Sequence, residues 1–157
     1  MGEKPDSSAS AGLAGEDIKL KLVLGCSILA VVFSNSSWVS HPEFDNEMIP
    51  RAARSAGLQL PDGRPAIVAA LLAAGLAWWL WETATTGMPI AAAWMVVAGL
   101  GAGVTFVAQS ASSDLNTTFG SAEGFTASWH LTVVWLAGVA MAIIGVAGAL
   151  EAIRGHG

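Results

Sequence analysis

The chain has 157 residues, of which 54% are hydrophobic and only 12% charged, with a mean hydropathy of +0.58. An average soluble domain is about 25% charged, so this composition excludes an ordinary soluble enzyme and a chain disordered over most of its length. The net charge of −5, with seven Lys and Arg in scattered groups, also excludes a nucleic-acid partner, because neutralising phosphates takes clustered cations.

Read from the start, Gly2 to Gly15 is rich in Ser, Ala and Gly, and residues 1–17 are predicted to form a disordered tail. The remainder, 18–154, carries four runs without Asp, Glu, Lys or Arg: Leu22 to Ser40, Pro65 to Trp81, Met88 to Ala108 and Leu131 to Leu150. Each approaches the length of about 20 residues that crosses a bilayer as a helix. Helices are the expected form, since in hydrocarbon every backbone amide must be paired within its own segment or in a closed barrel. No period-two alternation supports a barrel. The expected fold is therefore all-α: a polytopic integral membrane protein, a bundle of four transmembrane helices with a flexible N-terminal tail.

The first run is the weakest. Its strongly apolar part, Leu22 to Phe33, is short, and Ser34, Asn35, Ser36 and Ser37 make its outer third polar. A signal peptide is the competing reading, but a long acidic leader precedes it and no Ala-x-Ala site follows Phe33. Met-Gly at the start suggests myristoylation, which Asp6 argues against because that motif wants Ser or Thr there. Cys26 is the one cysteine, so no internal disulfide or Cys-based zinc cluster can form. Pro65 suits the first turn of the second helix. Gly87 and Pro89 break the chain between the second and third spans, which makes these an antiparallel hairpin.

Tyrosine is absent and tryptophan occurs seven times. Trp38 and Trp129 are expected at one membrane face and Trp78, Trp79 and Trp81 at the other, as an aromatic belt at headgroup level. Trp94 and Trp135 lie deeper and are expected between helices. With four spans both termini share a side. Lys4, Lys19, Lys21 and Arg154 lie there, against Arg51, Arg54 and Arg64 on the other, and the loop from Gln109 to Trp129 has no basic residue. Lys19 and Lys21 stand directly before the first span, so both termini are expected in the cytoplasm.

In lipid, helices associate through close backbone approach at small residues. Gly99 and Gly103 in the third span, and Gly138, Ala142, Gly145 and Ala149 in the fourth, recur at helical spacing and are the expected packing faces. Ala70, Ala74 and Gly75 are a weaker version in the second. Such faces serve either internal packing of the bundle or docking onto another membrane subunit.

No ionisable side chain lies deep in any span, whereas proton relays and ion paths need them. The candidates for chemistry sit outside. His41 follows the first span and His130 opens the fourth, on the same predicted face, with Glu43, Asp45, Glu47, Asp114 and Glu123 in the loops around them. His41, His130, Glu43 and Asp45 are the candidate metal ligands, and the two histidines the candidate haem ligands. The alternative is that each histidine is an interfacial hydrogen-bonding residue. The outer loop 41–64 is long for a connector. Its acidic-then-basic order, with Phe44, Met48, Ile49 and Leu58, predicts a short surface helix interrupted near Pro50. The outer loop 109–129 is polar and rich in Ser, Thr and Gly, and no catalytic triad or phosphate-binding loop is present.

Four Ala/Leu/Val/Gly-rich spans, the Asn35-Ser-Ser-Trp38-Val39 exit from the first and an outer loop after it resemble the small tryptophan-associated transmembrane proteins of actinobacteria. That resemblance implies a topology over the whole chain and a bacterial source, in keeping with the alanine and glycine content. The function expected is a non-catalytic accessory or scaffold subunit of a larger membrane complex, respiratory or otherwise energy-transducing, in the bacterial cytoplasmic membrane. Its partners would be lipids and other membrane subunits. Two alternatives stay open: a subunit holding haem, metal, quinone or pigment, and a small-solute or lipid carrier.

Overall fold

A computed structural model describes residues 7–43, 45, 48–49, 51, 62–83, 88–115 and 126–154. Among them are helices α1 (Ser7–Ser34), α2 (Arg64–Thr83), α3 (Met88–Asp114) and α4 (Trp129–Arg154), and two short strands, β1 (Val39–Ser40) and β2 (Thr126–Ala127). Three helices are long and apolar enough to cross a membrane: α2, α3 from Pro89, and α4.

Helix α1 differs from expectation at both ends. It begins at Ser7, inside the stretch expected to be a disordered tail, because Ala9, Ala11, Leu13, Ala14 and Glu16 are strong helix formers and extend a helix already nucleated downstream. It stops at Ser34 rather than Ser40. The hydroxyls and amide of Ser34 to Ser37 compete with the helical hydrogen-bond ladder, and the last turn closes through Asn35 N donating to the Val31 carbonyl at 3.2 Å and Ser36 N to Phe33 at 3.3 Å.

The other boundaries follow from capping and burial. Gly63 caps α2: its carbonyl accepts the Ile67 amide at 3.1 Å, while the Asp62 carboxylate accepts the Arg64 amide at 2.9 Å. A Cβ at Gly63 would meet the Ser34 carbonyl oxygen at 2.5 Å, so only glycine lets α2 start against the end of α1. Helix α3 continues past Ala108 to Asp114 because its buried face continues through Ala111 toward Leu115. Ser128 caps α4, its carbonyl accepting the Leu131 amide at 3.1 Å. Strands β1 and β2 pair antiparallel, Val39 opposite Ala127 and Ser40 opposite Thr126, and tie the two loops together.

The helices form a ring in which each packs mainly on two neighbours, in the order α1, α2, α3, α4 and back to α1. Successive helices run antiparallel. Buried residues recur at alternating spacings of three and four: Leu20, Val23, Ser27, Ala30 and Ser34 in α1, then Ala66, Ala70, Ala73, Ala77 and Leu80 in α2. That is the seam of a left-handed bundle. Outside the seam the molecule is apolar: Phe106 is 72% exposed, Ile143 64% and Ile28 61%. A water-facing surface does not carry apolar area on this scale.

Two ends are distinguishable. At one, Lys19 of α1 pairs with Glu151 of α4, and Lys21 pairs with Asp17 and lies over the Trp81 ring at 5.5 Å. At the other, Ser34, Trp38, Gly63, Ser128 and His130 converge.

Candidate functional site

The polar groups at the second end form a clasp. Ser128 N donates to the Trp38 carbonyl at 2.8 Å, and the Trp38 indole N–H donates to the Phe33 carbonyl at 3.1 Å, a second bond to the oxygen that already accepts the Ser36 amide at the end of α1. Trp38 was expected at the lipid interface. Instead it is buried at 4% exposure inside the clasp, because the indole N–H finds a protein acceptor there. Trp129, Trp78, Trp79 and Trp81 do point outward, at 62%, 60%, 46% and 42% exposure. Trp94 is buried between helices and Trp135 is partly exposed.

His130 is the centre of the clasp. Its Nδ1 lies 2.9 Å from the Ser128 hydroxyl and 3.2 Å from the Ser37 carbonyl oxygen. The Ser37 carbonyl can only accept, so that bond forms in the tautomer with the proton on Nδ1, which leaves the Nε2 lone pair available, whereas the Ser128 hydroxyl can pair with either tautomer. The ring stacks on Phe33 at 5.5 Å and sits 4.2 Å from the Trp129 ring. These contacts join the N-terminus of α4 to the end of α1.

His41 is oriented differently. Its Nδ1 accepts the Glu43 amide at 3.1 Å, which places the neutral ring's proton on Nε2. Glu43 and Asp45 are exposed, and the Asp45 carbonyl accepts the Met48 and Ile49 amides at 2.8 and 3.3 Å. Among the described residues, no three His, Cys, Asp or Glu side chains converge on a common point. The proposed ligand set His41, His130, Glu43 and Asp45 is therefore not gathered into one site. Ile49 is fully buried in the core that holds Trp38 and Val39, and Ile49 and Arg51 have helical backbone, so the outer loop docks through Ile49. Glu47, Arg54, Leu58 and Glu123 lie outside the described residues.

The expected small-residue faces divide into two. In α4, Gly138, Gly145 and Ala149 are buried and Ala142 is half-buried. A Cβ on Gly145 would meet Ala98 N at 2.5 Å, and one on Gly138 would meet Thr105 Oγ1 at 2.5 Å. Their counterparts in α3 are Trp94, Ala98, Gly101 and Thr105, and not Gly99 and Gly103, where an added Cβ has nothing within 4 Å among the described residues. The face turned to α4 is set by the three-four seam, which passes through position 101; the four-residue spacing of Gly99 and Gly103 puts them together on the opposite, outward side. Gly148, overlooked in the sequence, receives the Trp94 ring. In α2 the buried face runs through Ala70, Ala73 and Ala77, with Gly75 outward.

Comparison with known proteins adds no relative: no family model matches the chain, and neither does any curated protein or solved structure.

Proposed function

We propose that this chain is a non-catalytic accessory or scaffold subunit of a larger complex in the bacterial cytoplasmic membrane. The observation that carries this reading is the outward pair Gly99 and Gly103. Glycine in a helix interior costs about 0.5–1 kcal/mol relative to alanine, and among the described residues neither repays that cost by a close approach. One turn apart on an apolar outward face, they suit the close approach of a helix from another subunit.

In the same reading α1 is the fourth span. It lies antiparallel along both α2 and α4 from Lys19 to Ser34, so it shares their depth, and Lys19 reaches the surface along its aliphatic stem to meet Glu151. Lys19, Lys21 and Arg154 mark the cytoplasmic end, with both termini there, and Arg51 and Arg64 the opposite end. The resemblance to the tryptophan-associated actinobacterial proteins is consistent with that topology.

The test is mild-detergent purification of tagged chain from its native membrane, with mass spectrometry of whatever accompanies it. Larger redox or transport subunits in fixed ratio are expected, and Gly99→Leu with Gly103→Leu should release them while the chain stays folded. A lone chain, or a simple homo-oligomer, rejects the accessory role.

A second reading rests on His130 Nε2, which has no hydrogen-bond partner among the described residues and, with the proton on Nδ1, could ligate a haem or metal shared with a partner. An absorption spectrum and metal analysis of the purified complex, repeated with His130→Ala, decide it.

A further inference from the structure

On the outer side of the α3–α4 contact a groove runs along both helices. Its larger part, about 420 Å³ and broadly open to the outside, is bordered by Ala102, Phe106, Val139 and Ile143. A second hollow of about 200 Å³ continues it toward the helix ends, past Ser112, Leu131 and Thr132. Gln109 and Trp135 border both parts. From Ala102 to Ser112 the groove covers eleven residues of α3, about 15 Å between the first and the last. The larger part alone falls within the roughly 300–1,000 Å³ of small-molecule sites.

The chemistry changes along its length. Below Gln109 and Trp135 the larger part is aliphatic apart from the Phe106 ring and the hydroxyl of Thr105, which is already committed to the Gly101 carbonyl at 3.0 Å. The upper part presents the Gln109 carboxamide and the Ser112 and Thr132 hydroxyls, none of which has a hydrogen-bond partner among the described residues. Where such groups are kept from water, they cost free energy until something pairs with them. All three can donate. Neither part of the groove is lined by a charged residue, which disfavours a phosphate headgroup, and Trp135 offers a flat aromatic wall beside the donors.

We propose that this groove binds a neutral amphiphile with a flat, carbonyl-bearing ring and one long aliphatic tail, the chemistry of a lipid-soluble quinone. The carbonyl oxygens accept from Gln109, Ser112 and Thr132, the ring lies against Trp135, and the tail follows Phe106, Val139 and Ile143 toward the middle of the bundle. The proposal rests on the membrane location and not on an accessory role.

The full chain is placed in phosphatidylcholine nanodiscs and titrated with a naphthoquinone bearing an isoprenoid tail, reading tryptophan fluorescence. Incorporation into the disc tests the membrane location separately. Bulk quinone quenches in proportion to its concentration, whereas a bound ring gives a saturable component. That component should vanish in Trp135→Phe and in Val139→Trp, which fills the groove. In Gln109→Leu, an exposed position, half-saturation should rise about tenfold, the worth of one hydrogen bond at the upper end of its range. Linear quenching of the unsubstituted chain overturns the proposal. So does a saturable component unchanged in Val139→Trp and Gln109→Leu, or one displaced equally well by added phosphatidylglycerol.

Discussion

Gly101 and Gly138 face each other where α3 crosses α4: a Cβ on Gly101 would stand 2.8 Å from the Gly138 carbonyl oxygen, and one on Gly138 would stand 2.9 Å from the Gly101 carbonyl oxygen. Both obstacles are backbone, so neither helix can yield by turning a side chain. Gly101→Val should therefore destabilise the folded chain by about 1–3 kcal/mol, the usual cost of overpacking. Gly99→Ala, two residues away on the outward side, should be neutral or stabilising by up to about 1 kcal/mol through helix propensity. Thermal unfolding of both variants in the same detergent separates them, and equal behaviour would mean that the crossing is not at Gly101.

Trp38 tests the clasp. Trp38→Phe keeps an aromatic ring in the buried position but removes the donor to the Phe33 carbonyl, a loss of about 1 kcal/mol. Trp38→Ala should cost about 3–5 kcal/mol, because a fully buried indole leaves a cavity. If the two variants unfold at the same temperature, the ring is not packed as the structure places it.

Ile49 reports whether the outer loop belongs to the core. It has no exposed surface and packs in the same cluster as Trp38, Leu131 and Val134. Ile49→Ala should lower stability by about 2–5 kcal/mol, whereas Met48→Ala, next to it and 54% exposed, should change it little. Limited proteolysis is a second readout: cleavage between the first two helices should accelerate in Ile49→Ala alone.

The Lys19–Glu151 pair joins α1 to α4 at the opposite end from the clasp. The Lys19 side chain is 18% exposed but Glu151 is 56% exposed, so solvent screens much of the attraction. A double-mutant cycle with Lys19→Met and Glu151→Gln should give a coupling of about 0–1 kcal/mol that shrinks as salt is raised. A coupling well above that range, insensitive to salt, would place the pair in a drier setting than the structure shows.

The sequence by itself determined the fold class and three of the apolar helices. Long charge-free runs leave the backbone no partner in lipid but its own helix, and that holds whatever the neighbours are. It also placed the starts of the second and third helices within a residue, because Pro65 and Pro89 act locally, whereas the third helix runs on from Ala108 to Asp114 because its buried face continues. Tertiary structure decided which face of each helix is inside. Gly99 and Gly101 share one glycine-rich stretch and differ by a rotation of about 200° around the helix axis; only the seam shared with α4 selects one of them. The burial of Trp38, the pairing of Val39–Ser40 with Thr126–Ala127 and the hydrogen bond from His130 to Ser37 join segments some 90 residues apart. No local pattern encodes them, since each depends on the end of α1 and the start of α4 being brought to the same end of one bundle.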